Sequence, residues 1–128
     1  MNAEELKRRT KRFGLEVIKL VESLPTTQTG KVVGNQMLRS ALSVGANYRA
    51  ACRARSKADF ISKVGITIEE TDETQHWLEM LAEAGIIPLD QIKPLLQESN
   101  ELVAILTASA KTARENLIMT CLPAFNAL

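Results

Sequence analysis

The stretch from Gln36 to Leu81 constrains the fold more than any other part of this chain. It reads as two long helices joined at Ser56, QMLRSALSVGANYRAACRAR and SKADFISKVGITIEETDETQHWLEML, and each must bury an apolar stripe against further helices. On the first, Met37, Ala41, Val44, Tyr48 and Ala51 recur at helical spacing and line one face, with Gly45 and Cys52 beside them. The small residues let a neighbouring helix come close, and Met37 and Tyr48 fill the gaps. On the second, Ile61, Val64, Ile68, Leu78 and Ala82 form the inward stripe, with Thr71 and Gln75 set within it. Polar groups inside a stripe need partners, so these two are expected to fix register or to face another subunit. Ile66, Trp77 and Leu81 fall on a different face and are the candidates for an oligomer interface, with Trp77 as its anchor. Ser56-Lys57-Ala58-Asp59 has the form of a capping box, which marks the break between the two helices.

The flanking segments add one helix on each side. Leu6, Phe13, Val17, Leu20, Val21 and Leu24 gather on one face of a helix over 3–24, and Lys7, Arg8, Lys11, Arg12 and Lys19 lie mostly on the other. Pro25 to Gly30 reads as a loop, and its Gly30-Lys31 pair lacks the second glycine and preceding strand of a phosphate loop. The second helix is placed over 31–55 and the third over 57–84. Gly85 suits a helix end, Ile86-Ile87-Pro88 connects, and a fourth helix runs over 90–119 with Leu95, Leu102, Leu106 and Ala110 inward. Pro123 is expected to take the tail TCLPAFNAL out of the helix, free or docked on a neighbour. With Leu and Ala abundant and aromatics at 4%, the whole is expected to be one all-α domain over 1–128, a four-helix bundle.

Charge is segregated along the chain. Up to Lys63 there are 13 Lys and Arg against 5 Asp and Glu, a balance of +8; beyond it there are 3 against 10, a balance of −7. Either the basic and acidic helices neutralise each other, within a protomer or between protomers, or the basic half meets an anionic partner. The candidate nucleic-acid contacts are Arg8 and Arg12 on the first helix and Arg39, Arg49, Arg53 and Arg55 on the second. No aromatic residues interleave with them to stack bases.

Catalytic and metal chemistry find little support. Glu73 and His76 have the Glu-x-x-His spacing of di-iron bundles, but His76 is the only histidine, and such a site needs the motif twice. No nucleophile motif accompanies it, and spacing singles out no carboxylate pair in the acidic run. The expectation is therefore no catalytic residue, no metal and no cofactor. Cys52 and Cys121 lie far apart without a CxxC partner and are expected as buried free thiols in a reducing cytoplasm. The charged start MNAEELKRRTKRF lacks the apolar run of a signal peptide, and no stretch approaches a membrane span.

The run from Gln36 to Ile87 resembles the four-helix-bundle proteins related to those encoded in intervening sequences of bacterial large-subunit ribosomal RNA genes. The resemblance is carried by Gln36, Arg39, Ser40 and Ala41; by Ser43, Val44, Ala46 and Asn47; by Arg55-Ser56; and by Asp59-Phe60. It implies an up-down bundle assembled into a homo-oligomer, typically a pentamer. Where many members carry Asn-Ile-Ala-Glu-Gly, this chain has Asn47-Tyr48-Arg49-Ala50-Ala51, one acid fewer and one cation more. The accessory proteins of diversity-generating retroelements are similar in fold and bind a reverse transcriptase and nucleic acid, but are generally more basic. The expected function is a non-enzymatic interaction or scaffold protein; the alternative is a nucleic-acid-binding accessory protein, RNA or DNA.

Overall fold

The computed structural model describes the backbone of residues 1–126 and the side chains of residues 1–116. Four helices follow one another: α1 (Ala3–Glu22), α2 (Gln28–Cys52), α3 (Lys57–Glu83) and α4 (Leu89–Asn126). The first three start in the same way, with a short polar side chain accepting from the backbone N–H three residues on. Asn2 accepts from Glu5 at 2.8 Å, Thr27 from Gly30 at 3.0 Å and Ser56 from Asp59 at 3.0 Å. Each bond satisfies a donor that the first helical turn leaves unpaired. The Ser56 cap is as expected, but the Asp59 carboxylate is held mainly by Lys63 Nζ, 2.7 Å away and one turn further along.

Three boundaries differ from expectation by three residues or more, the simplest being the end of α2, at Cys52 where 55 was expected. Helix α2 begins three residues early, because Thr27 caps it and Gly30 already lies in its first turn. A Cβ at Gly30 would sit 2.2 Å from the Pro25 carbonyl, so the chain can turn back this tightly only with glycine there. Helix α4 continues past Met119 to Asn126, through Pro123. A proline removes one helical hydrogen bond and bends a helix without having to end it. The expected docking of the tail falls on side chains outside the described ones. Between α3 and α4, Gly85 adopts φ 72°, and the Ile86 N–H closes on the Leu81 carbonyl at 3.0 Å, the glycine-ended helix stop.

Helices α1, α2 and α3 each pack extensively on the next, while α1 meets α4 along a thin seam. Short connections make neighbours antiparallel: Gly14 faces Ala41 and Leu42, Ser40 faces Thr74, and Gln75 faces Ser99. The core takes Leu6, Phe13 and Val17 from α1, and Met37, Ala41, Val44, Tyr48 and Ala51 from α2. From α4 it takes Ile92, Leu95, Leu102, Leu106 and Ala110.

The inward stripe of α3 matches expectation at Val64, Thr71 and Leu78 but is rotated from it elsewhere. Its buried residues are Val64, Thr67, Thr71, Thr74, Leu78 and Leu81, while Ile61, Ile68 and Ala82 sit half-buried at the flanks. Threonine can occupy a core position because its hydroxyl bonds its own helix: Thr67, Thr71 and Thr74 donate to the carbonyls of Lys63, Thr67 and Glu70 at 2.7–2.8 Å. Thr74 also meets the Ser40 hydroxyl at 2.8 Å across the α2–α3 seam. Leu81, expected on an outward face, is 0% exposed within its own chain. Among the described residues no helix is long and apolar enough to cross a membrane.

Because Leu81 fills the core, Leu81→Ala is expected to cost about 2–5 kcal/mol, as removal of a fully buried leucine does. Chemical denaturation measures this; a loss below about 1 kcal/mol would contradict the burial.

Candidate functional site

The six arginines singled out from the sequence do not form one surface. Arg39 leans across the α2–α3 seam and binds the Glu73 carboxylate, with Glu70 Oε2 3.7 Å from its Nη1. That Glu70 oxygen is buried and has no hydrogen bond, so Arg39 is the cation that offsets it. Glu73 also accepts from the Trp77 indole at 3.2 Å, and the ring of His76 meets Trp77 edge-on at 5.1 Å. Trp77 is therefore half-buried against its own core and anchored by Glu73. The carboxylate of the Glu-x-x-His spacing serves that contact. Arg55 lines a separate depression at the bundle end, and Arg12 is exposed on α1 one turn beyond Arg8; neither lines the groove that the others form. Arg8, Arg49 and Arg53 do converge.

They meet on a groove of about 560 Å³ between α1 and α2. The helices come close here because α2 presents Gly45, where a Cβ would lie 3.5 Å from the Lys11 backbone; an alanine fits, and a larger side chain would push the helices apart. One end of the groove is rimmed by Lys7, Arg8, Lys11, Arg49 and Arg53. The other end is apolar, with Leu15 51% exposed and Leu42 48% exposed, and Ile18 also in the lining. Sequence reading found the arginines and missed this floor. The signal was available: Leu42 stands on the outward row of α2 between Arg39 and Arg49, and Leu15 interrupts the basic face of α1.

Elsewhere the opposed halves of the chain neutralise one another. Arg9 of α1 forks onto Glu98 of α4 through two bonds of 2.7 Å and adds Glu101 at 2.8 Å. Those bonds hold the guanidinium pKa above its usual range. In the groove Lys7 pairs with Glu4 at 2.6 Å, while Arg8, Lys11, Arg49 and Arg53 have no acid within ion-pair distance among the described residues. The outward face of α3 carries the complementary set, Glu69, Asp72, Glu79 and Glu83, all exposed, with Ile66 39% exposed beside them.

A second depression lies at the bundle end formed by the α1 and α3 N-termini, lined by Tyr48, Cys52, Arg55 and Phe60 among others. Cys52 is exposed, contrary to the expected burial, because it sits on the last residue of α2 where the neighbouring helices no longer cover it. Burial raises the Tyr48 hydroxyl pKa, and its hydrogen bond with Cys52 adds to this. Cys121 lies outside the described side chains.

Residues 4–108 match the 23S rRNA-intervening sequence protein family, and the chain belongs to that family. The match takes in α1 and about the first half of α4 as well as the α2–α3 region. A protein of unknown function from the S23 ribosomal protein family of Bacteroides thetaiotaomicron has a similar crystal structure, with a TM-score of 0.81 and 34% identity. The similarity covers 87% of this chain and 99% of that one. No curated protein matches the chain.

At the groove rim, the hydrogen bond from Lys7 and then its charge hold the Glu4 carboxyl below its ordinary pKa. A depressed carboxyl contributes stability above its unfolded value and loses it as pH falls through the folded one. Lys7→Ala should therefore move the Glu4 titration midpoint, followed by carboxyl NMR, back up toward the ordinary value; an unmoved midpoint would remove the pair from the groove's electrostatics.

Proposed function

We propose that this member of the 23S rRNA-intervening sequence protein family is a non-enzymatic interaction protein that acts as a homo-oligomer, a pentamer as the family resemblance implies, and uses no cofactor. The observation that carries this reading is the α1–α2 groove, which joins Arg8, Lys11, Arg49 and Arg53, in no ion pair among the described residues, to exposed leucines. Such a surface is suited to a protein contact, with an apolar centre and a charged rim. The exposed Cys52 thiol suits a reducing cytoplasm. A second reading, nucleic-acid binding, is favoured by the convergence of Arg8, Lys11, Arg49 and Arg53 at one end of that groove.

Light scattering on the purified chain at micromolar concentration should give five times the 14.1 kDa protomer mass; a monomer would overturn the reading. Electrophoretic mobility with structured RNA and duplex DNA separates the two. The second reading requires a salt-sensitive shift that an Arg8/Arg49/Arg53 triple-alanine variant weakens, and no shift at low salt would eliminate it.

A further inference from the structure

We propose that the α1–α2 groove of one protomer receives the outward face of α3 from a second copy, with Ile66 over Leu15 and Leu42 and with Glu69 and Asp72 against Lys11, Arg8 and Arg49. This rests on the self-association proposed above and names the two surfaces that would perform it.

The argument is one of matched pattern. The groove is ordered along its length, from the apolar end at Leu15, Ile18 and Leu42 to the basic end at Arg8, Arg49 and Arg53. At about 1.5 Å per helical residue, Leu42 precedes Arg49 by about 10 Å, and Leu15 is separated from Lys11 and Arg8 by about 6 and 10 Å. On α3, Ile66 precedes Glu69 and Asp72 by about 4.5 and 9 Å. A helix laid parallel to α2 with Ile66 on the leucines thus brings its acids to the cations. Reversing the direction in this register would put them beyond the apolar end.

Both partners are available for the contact. Glu69 and Asp72 are exposed and enter no ion pair among the described residues, whereas their neighbours Glu70 and Glu73 face Arg39. A Cβ at Gly65, next to Ile66, would meet nothing within 4 Å, so the backbone of α3 can come close to another molecule there. The groove and the outer side of α3 are different surfaces of one protomer. Contact between them is heterologous, and repetition of such a contact closes a ring when the rotation allows it. Burial of Leu15, Leu42 and Ile66 supplies the apolar part, and the charges set register and direction.

The test is a charge exchange in the full chain, read by light scattering, with far-UV circular dichroism confirming the helical fold of every variant. R8E/R49E and E69R/D72R should each lower the mass from that of the oligomer to that of one chain. A chain carrying all four substitutions should recover the oligomer mass, because the reversed surfaces again match. All four positions are exposed; should a charge variant lose its fold, Leu42→Glu and Ile66→Arg singly make the same comparison. A monomeric unsubstituted chain overturns this pairing and the reading it rests on. An oligomer that keeps its mass in R8E/R49E overturns the pairing alone, and loss of an RNA shift in that same variant would assign the groove to nucleic acid. Failure of the four-substitution chain to reassemble, with each pair alone dissociating, also overturns it.

Discussion

The rotation of α3 about its own axis decides where its acidic groups from Glu69 to Glu83 end up, and an inward face of threonines whose hydroxyls bond their own helix goes with that rotation. Thr67, Thr71 and Thr74 turn inward at steps of three and four between Val64 and Leu78. Each donates to a carbonyl one turn back, so the core receives methyl groups and no unsatisfied polar atom. The Ser40–Thr74 contact then ties the seam to α2 at one height. With that face inward, Glu70 and Glu73 must meet Arg39 on one flank and Gln75 must meet Ser99 on the other. Glu69, Asp72, Glu79 and Glu83 are left pointing outward.

The same constraint explains how a chain with basic and acidic halves folds without repelling itself. Its opposed charges meet at two seams, Arg39 with α3 and Arg9 with α4. Partly exposed pairs of this kind contribute about 0–1 kcal/mol each, so they orient helices more than they stabilise them. The Arg9 fork stands where α1 and α4 touch least and bridges the thinnest side of the bundle. Among the charges that no seam consumes, two groups are segregated, a basic one in the groove and an acidic one on the α3 face, and that separation underlies the proposed assembly.

Much of the fold was legible because its signals are local. Serine at the start of α3, glycine at its end, and the periodic stripes of α1, α2 and α4 each depend on a few neighbouring residues. The inward face of α3 was misread because threonine was counted as polar, although a helix can satisfy its hydroxyl internally; that displaced Leu81 from the core to an outward face. The start of α2 was missed because Pro25 to Gly30 has the composition of a loop, while the Thr27 cap and the tight approach of Gly30 to Pro25 are matters of geometry. The candidate site was half legible. Arg8, Arg49 and Arg53 were identified, but that these three line one groove without Arg12, Arg39 and Arg55 depends on which helices pack together. The groove floor belongs to two helices at once and is visible only after they meet.

The most direct test of the central claim, that the groove holds the α3 face of a second copy, is zero-length carbodiimide crosslinking of oligomers assembled from mixed isotopically labelled and unlabelled chains. Such a reagent joins only amines and carboxylates already in contact. The account predicts a Lys11–Glu69 crosslink between a labelled and an unlabelled chain. Intermolecular crosslinks that leave out both Lys11 and Glu69, recovered from an intact oligomer, would contradict it.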